Sequence, residues 1–476
     1  MSGHLVLLAV CAYFLLANAF HLGHQSDALN ASFDPLNTLN ARALVTDTSA
    51  NDYLTLLSAP HDEDDPNPVD KGYVHDDSGG EGTTIFVLDG GFNLDKYPEE
   101  QCLDQRRIDH FLVPASYRYI ALTDADRQAG LYYPPESMDD TAATTSDRKF
   151  HGHGTQIAIL AAGCKTGVAP KANLYLIKIS ESKMRPDGLA DSSFVGPLAQ
   201  VYALQRVAAV IRGVPGGPSV PKGKAVVVMA AAGWSFDEMG TYGSHWDIVH
   251  DQFLFAMTQL ERLGVTVVIA AGNKGSTGDP EQPNQEPSFV PQYLDQEFPQ
   301  ASVTEKEPPI LVGATNNKGQ LSSFTTPGRQ HVVVSLYAQG ANVKSTDLLS
   351  SEPDFREGTS YSTPIVAGLA AYTLGLPSNS HLCQYNPSPA ADEDSVGLCL
   401  KKYLVNSAFQ RVASTNLLAE DAGMYRYPIP ATVLVASNGA SAATEEEEGG
   451  EPFGDPTPCW SDDTRKQCRM ANTTRT

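Results

Sequence analysis

The sequence predicts an α/β fold in which helices cover both faces of a mainly parallel central sheet. Three observations carry that expectation. Short apolar runs such as Ala225-Val226-Val227-Val228-Met229-Ala230 recur without the polar alternation of a half-exposed strand. Stretches with helical apolar spacing lie between them, as in βαβ units. The chain has 476 residues and is 41% hydrophobic, enough to bury a large core in one or two domains.

Taken in order, residues 20–60 are mixed and polar, with no long helical or strand pattern, and His61 to Pro68 reads as a solvated loop. Thr83 to Leu88 is an apolar run that breaks at Asp89-Gly90-Gly91, as a buried parallel strand does on entering a turn. Gln156 to Ala162 reads as a helix, and Asn173 to Ile179 as a strand. Ser193 to Arg212 has helical spacing, followed by the strand Ala225–Ala230. Asp247 to Leu263 is a second such helix and leads directly into the strand Val265–Ala270. Residues 274–305, rich in Pro, Gln, Gly and Glu, form a long surface loop. Ile310–Ala314 and His331–Leu336 are later strands, the small apolar residues Ile365–Ala371 a helix, and Lys401–Val412 a closing helix. From about Ser437 the chain turns to Ala, Ser, Gly and a glutamate run, a flexible tail over 440–476 with a Cys459–Cys468 loop near its end.

Composition narrows the function. The formal net charge of −23 opposes nucleic-acid binding, which needs basic patches, and opposes docking on anionic membranes. Leu5 to Leu16 is almost wholly apolar and precedes Ala17-Asn18-Ala19, the pattern of a secretory signal over residues 1–19, although His4 stands where Lys or Arg is usual. A membrane anchor is the alternative, for which the run is short. No later apolar run is long enough to cross a bilayer. Secretion makes the six cysteines other than Cys11 candidates for up to three disulfides. Their pairing is open; Cys383–Cys399 and Cys459–Cys468 are the local choices. Asn30 and Asn472 lie in glycosylation sequons. The cysteine spacings do not form zinc sites, and no metal ligand set is assigned.

Four segments carry chemistry. Asp89 closes an apolar strand, at the sheet edge where functional groups collect, though aspartate is also an ordinary turn residue there. His151-Gly152-His153-Gly154-Thr155 leads into a helix; a paired-histidine metal site is the competing idea, but this spacing is not that of helical ligands. Val267 to Asn273 ends a buried strand in a side-chain amide able to donate to a developing oxyanion, or in a plain turn asparagine. Gly358-Thr359-Ser360-Tyr361-Ser362-Thr363-Pro364 places a serine just ahead of a small-residue helix, with Pro364 in its first turn. The helix N-terminus favours negative charge beside Ser360; the plain alternative is a helix cap.

Together, Val87-Leu88-Asp89-Gly90-Gly91, His151 to Thr155, Ala271-Gly272-Asn273 and Gly358 to Pro364 resemble the subtilisin-like serine peptidases, in that family's Asp, His, Ser order. Gly167-Val168-Ala169-Pro170 and Val312-Gly313-Ala314 are subsidiary matches. The resemblance implies a subtilisin-like three-layer α/β/α fold over residues 50–439. It implies Ser360 as nucleophile, His153 as general base and then acid, and Asp89 as the group that orients His153. Asn273 and the Ser360 backbone N–H would form the oxyanion hole, with Ala231, Ala232, Gly233, Ala271 and Gly272 along the substrate. No cofactor is needed for such chemistry; structural calcium is common in the family but finds no assigned ligands here. The implied protein is a secreted monomeric endopeptidase acting on proteins or peptides. The alternative is a weak or inactive binding protein on the same fold.

Several residues depart from the family pattern. Ala230-Ala231-Ala232-Gly233-Trp234 stands where a Ser-x-Gly strand is usual, Gln156 where His often follows His-Gly-Thr, and Ile159 where a small residue is expected. Asp89-Gly90-Gly91 replaces Asp-Ser/Thr-Gly, and Tyr337-Ala338-Gln339-Gly340 lacks the usual proline. Leu56 to Pro60 and Gly80 to Thr84 resemble the opening of secreted fungal members, which leaves residues 20–49 as a short prosegment or N-terminal extension.

Overall fold

The computed structural model describes residues 44–60, 68–119, 121–138, 152–187, 190–230, 246–273, 275, 308–326, 333–345, 354–388, 393–413, 417–419, 430 and 432–440. The expected signal, residues 20–43 of the expected extension, His151, Ala231, Ala232, Gly233, Trp234, the loop 274–305 apart from Gly275, and the tail from residue 441 with its Cys459–Cys468 loop lie outside them.

Thirteen strands are described: β1 (Leu44–Asp47), β2 (Tyr73–Asp76), β3 (Thr84–Asp89), β4 (Ile108–Leu112), β5 (Asn173–Lys178), β6 (Glu181–Met184), β7 (Ala190–Phe194), β8 (Ala225–Met229), β9 (Val265–Ala270), β10 (Ile310–Thr315), β11 (Leu336–Gln339), β12 (Val343–Ser345) and β13 (Asp354–Arg356). The helices that matter here are α1 (Asp52–Ser58), α2 (His153–Ala162), α3 (Pro197–Ile211), α4 (Trp246–Arg262), α5 (Thr359–Gly375) and α6 (Val396–Ser407).

Seven strands form one parallel sheet in the order β11-β10-β9-β8-β3-β5-β4. From β3 the chain places β5 and then, at the edge, β4 on one side, and β8 to β11 successively on the other, so the sheet has its switch point at β3, and ligand crevices open at the carboxyl ends of strands flanking such a point. The register sets Leu88 beside Met229 and Asp89 beside Lys178.

Both faces of this sheet are buried, which is why its strands read as unbroken apolar runs. Ile85, Val87, Leu174, Leu176, Val226 and Val228 face one core, which contains the inward residues of α2, α5 and α6. Phe86, Leu88, Tyr175, Ile177, Val227 and Met229 face a second core closed by α3 and α4. The architecture is the expected three-layer α/β/α sandwich.

Four boundaries differ from expectation, each for a local reason. The strand placed at His331–Leu336 is instead β11, which pairs from Leu336 to Gln339 with β10; the buried polar Gln339, bonded to the Ala341 and Asn342 carbonyls, hides its end from a hydropathy reading. Ser193 and Phe194 belong to β7, and α3 starts only at Pro197, whose ring disfavours helix before it. The closing helix α6 runs from Val396, capped by Ser395 Oγ, and stops before Phe409, whose N–H goes to Val435. The polar segment before residue 60 holds β1, paired with β2 ahead of residue 50, and the buried helix α1.

Among the described residues two disulfides form, Cys383–Cys399 as expected and Cys102–Cys164, which ties the segment after β3 to the end of α2. Around the second, Glu100 accepts from the backbone N–H groups of Lys165 and Thr166, and Arg106 donates to the Gln101, Glu100 and Ala162 carbonyls. Burial of the Arg106 guanidinium lowers its pKa to about 10. With its cysteines 62 positions apart in sequence, the bridge contributes about 4 kcal/mol by loop closure. A Cys102→Ser, Cys164→Ser variant is therefore expected to unfold at a Tm lower by about 5 °C. An unchanged calorimetric Tm would refute this.

Candidate active site

Asp89 ends β3 at the carboxyl edge of the sheet, 1% exposed. A buried carboxylate needs donors, and it has them: the Gly90 N–H donates to Oδ1 at 2.7 Å. His153 Nδ1 lies 2.9 Å from Oδ1 and 3.0 Å from Oδ2. With Nδ1–H donated to Asp89, the neutral ring presents Nε2 as a proton acceptor.

The backbone around His153 explains its glycines. Gly152 caps α2 at φ 72°, a left-handed conformation that favours glycine. A Cβ on Gly154 would lie 2.3 Å from the Gly91 carbonyl oxygen and 2.9 Å from Asp89 Cβ, so the approach of α2 to the end of β3 needs glycine there. Thr155 Oγ1 accepts from the Asn93 N–H at 2.9 Å, pinning the same loop to the helix.

Ser360 is the second residue of α5 rather than the residue ahead of it, and Gly358 is the cap. Pro364 consequently stands inside the helix instead of in its first turn, where it supplies no N–H for the Ser360 carbonyl. Ser360 is half-buried, and Asn273, which follows β9, is exposed. Among the described residues Ser360 Oγ makes no hydrogen bond.

Thr359, which the sequence reading passed over, fixes the Asn273 amide. Its N–H and Oγ1 donate to Asn273 Oδ1 at 2.8 and 3.0 Å, while Oγ1 accepts from the Gly272 N–H at 2.8 Å. With Oδ1 committed, Nδ2 is left as a donor. The position of a Cβ on Gly358, which glycine leaves empty, is 3.1 Å from both Asn273 Nδ2 and Ser360 Oγ. Asn273 Nδ2 and Ser360 Oγ thus border the same glycine, an arrangement fixed by Thr359. Its only signal in the sequence was a hydroxyl residue between Gly358 and Ser360.

Of the residues expected along the substrate, Ala271 and Gly272 are described and buried beside Asn273. Gly272 (φ 103°) donates to Thr359 and accepts from the Thr326 N–H, so both of its backbone groups are engaged within the protein. Among the described residues no group of His, Cys, Asp and Glu could hold a metal ion, and no helix is long and apolar enough to cross a membrane.

A carboxylate-held imidazole and a serine on a helix N-terminus, both borne by a parallel α/β sheet, define the class of the serine hydrolases. The chain belongs to the subtilase family, whose model matches residues 80–427. It is similar to subtilisin-like protease 1 of Pseudogymnoascus destructans, 27% identical over 307 residues, covering 64% of this chain and 54% of that one. It is also similar to proteinase T of Parengyodontium album, 25% identical over 314 residues, covering 66% of this chain and 78% of that one. Among solved structures, a cold adapted subtilisin-like serine proteinase aligns with a TM-score of 0.45 at 19% identity, covering 78% of this chain and 96% of that one. The chain spans about half the length of several of the curated relatives it matches.

On the oxyanion role expected of Asn273, Asn273→Ala lowers kcat about a hundredfold to a thousandfold with KM little changed, and it also removes the Oδ1 that accepts from Thr359. Equal losses in kcat for Asn273→Ala and a surface asparagine control such as Asn317→Ala would refute that role.

Proposed function

We propose that this chain is a secreted serine endopeptidase. Ser360 Oγ attacks the peptide carbonyl and gives its proton to His153 Nε2. The tetrahedral oxyanion accepts hydrogen bonds from Asn273 Nδ2 and the Ser360 N–H. His153 then protonates the leaving amine, an acyl-enzyme remains on Ser360, and water activated by His153 releases it. Asp89 holds the tautomer and stabilises the imidazolium. Ala231, Ala232 and Gly233 pair with the extended substrate, a backbone interaction that needs no particular side chain, and Ala271 and Gly272, whose own N–H groups are engaged within the protein, flank it.

The observation that carries this reading is the buried pairing of His153 Nδ1 with the Asp89 carboxylate at 2.9 and 3.0 Å. Export is supported by the apolar segment ending at Ala17-Asn18-Ala19 and by the two disulfides. The test is casein and internally quenched peptide hydrolysis by purified protein, with fluorophosphonate labelling mapped by mass spectrometry. Label on Ser360 and internal cleavage are expected. Folded protein that neither labels nor cleaves is instead a binding protein on this fold.

A further inference from the structure

Tyr361 and Gln156 join the helices that carry Ser360 and His153. Tyr361 directly follows Ser360 on α5, and its O–H donates to Gln156 Oε1 on α2 at 3.1 Å. Both side chains are buried, at 2% and 0% exposure. Gln156 lies three residues beyond His153, so the two share one face of α2. The Tyr361 ring meets the imidazole edge-on, with centroids 5.6 Å apart and planes at 68°.

We infer that Tyr361, braced by Gln156, is a positioning residue for His153; this rests on the peptidase reading above. Asp89 holds the imidazole through Nδ1. Tyr361 supplies a second constraint from the side of Ser360. Because its phenol is anchored on the helix that bears His153, the ring keeps its place relative to the imidazole. Elsewhere on the same pair of helices, a Cβ on Gly368 of α5 would lie 2.5 Å from the Ala161 carbonyl oxygen of α2. The helices are thus in close contact at Gly368 and are tied by a hydrogen bond at their catalytic ends. A glutamine at 156 and a tyrosine at 361 suit each other: each satisfies a polar group that the other would leave buried and unpaired.

The test is a cycle of Tyr361→Phe, Gln156→Met and the double variant, beside Tyr361→Leu. Each is assayed for kcat, KM, Tm and the rate of fluorophosphonate labelling. Both single variants of the cycle are expected to lose about fivefold in kcat and labelling rate with KM unchanged. The double variant should lose no more than either single one. Tyr361→Leu, which removes the ring, should lose about fiftyfold, and Tyr361→Phe should recover most of that difference. Wild-type kcat and labelling in both Tyr361→Phe and Tyr361→Leu, with only Tm lowered, would overturn the inference and leave the peptidase reading intact. Additive losses in the cycle would overturn the Gln156 brace. A wild type that neither labels nor cleaves defeats the peptidase reading and this inference with it.

Discussion

Ser360→Ala is expected to lower kcat about 10⁶-fold and to leave the fold in place. The attacking oxygen is the one atom for which no neighbour substitutes: the acyl-enzyme cannot form, and His153 and Asp89 have no hydroxyl to activate. Residual hydrolysis above the uncatalysed rate would come from the Asn273 amide and the Ser360 position's N–H, which the substitution keeps. Structure should be spared because Ser360 is half-buried, its Oγ bonds no described residue, and alanine is favoured in a helix. The check is kcat on a chromogenic peptide together with circular dichroism and Tm. Retention of more than about a hundredth of wild-type activity by a folded variant would exclude Ser360 as nucleophile.

Gly154→Ala is expected to cost about 10³- to 10⁴-fold in kcat, although it touches no reacting atom. Its methyl would lie 2.3 Å from the Gly91 carbonyl oxygen, 2.9 Å from Asp89 Cβ and 3.1 Å from Phe92 Cε1. Two of those atoms are backbone or next to it, so the start of α2 must retreat from the end of β3. His153 is the adjacent residue and moves with it, losing the 2.9 Å bond that sets its tautomer. Overpacking of this kind also destabilises by about 1–3 kcal/mol. The fluorophosphonate labelling rate should fall with kcat, because the defect lies in the base rather than in substrate binding. A variant with near-normal kcat would show that α2 and β3 can separate without disturbing the Asp89–His153 pair.

The inner strands of the central sheet were legible because burial on both faces forces unbroken apolar runs, as in Val226-Val227-Val228 and Val265 to Ala270, whereas the partly exposed edge strand β4, with Asp109 and His110, was missed. Helices with one apolar stripe, α3 and α4, were legible for the complementary reason. Elements that fail both patterns were misplaced. β11 ends in a buried Gln339, β7 is a polar hairpin strand, and α1 is a single short helix held by packing. Cys383–Cys399 was within reach as a local pair, whereas Cys102–Cys164 needed the chain to bring β3's following loop to the end of α2.

By itself, the sequence singled out the candidate side chains: Asp89, His153, Asn273 and Ser360 stand at strand ends and helix starts, where local apolar patterns and turn residues mark them. Only the tertiary structure decided how they are held. The Asp89–His153 bond, the commitment of Asn273 Oδ1 to Thr359 and the Tyr361–Gln156 link join residues far apart in the chain. Orientation of a side chain depends on the partners folding brings to it, and residue identity at one position carries no record of them.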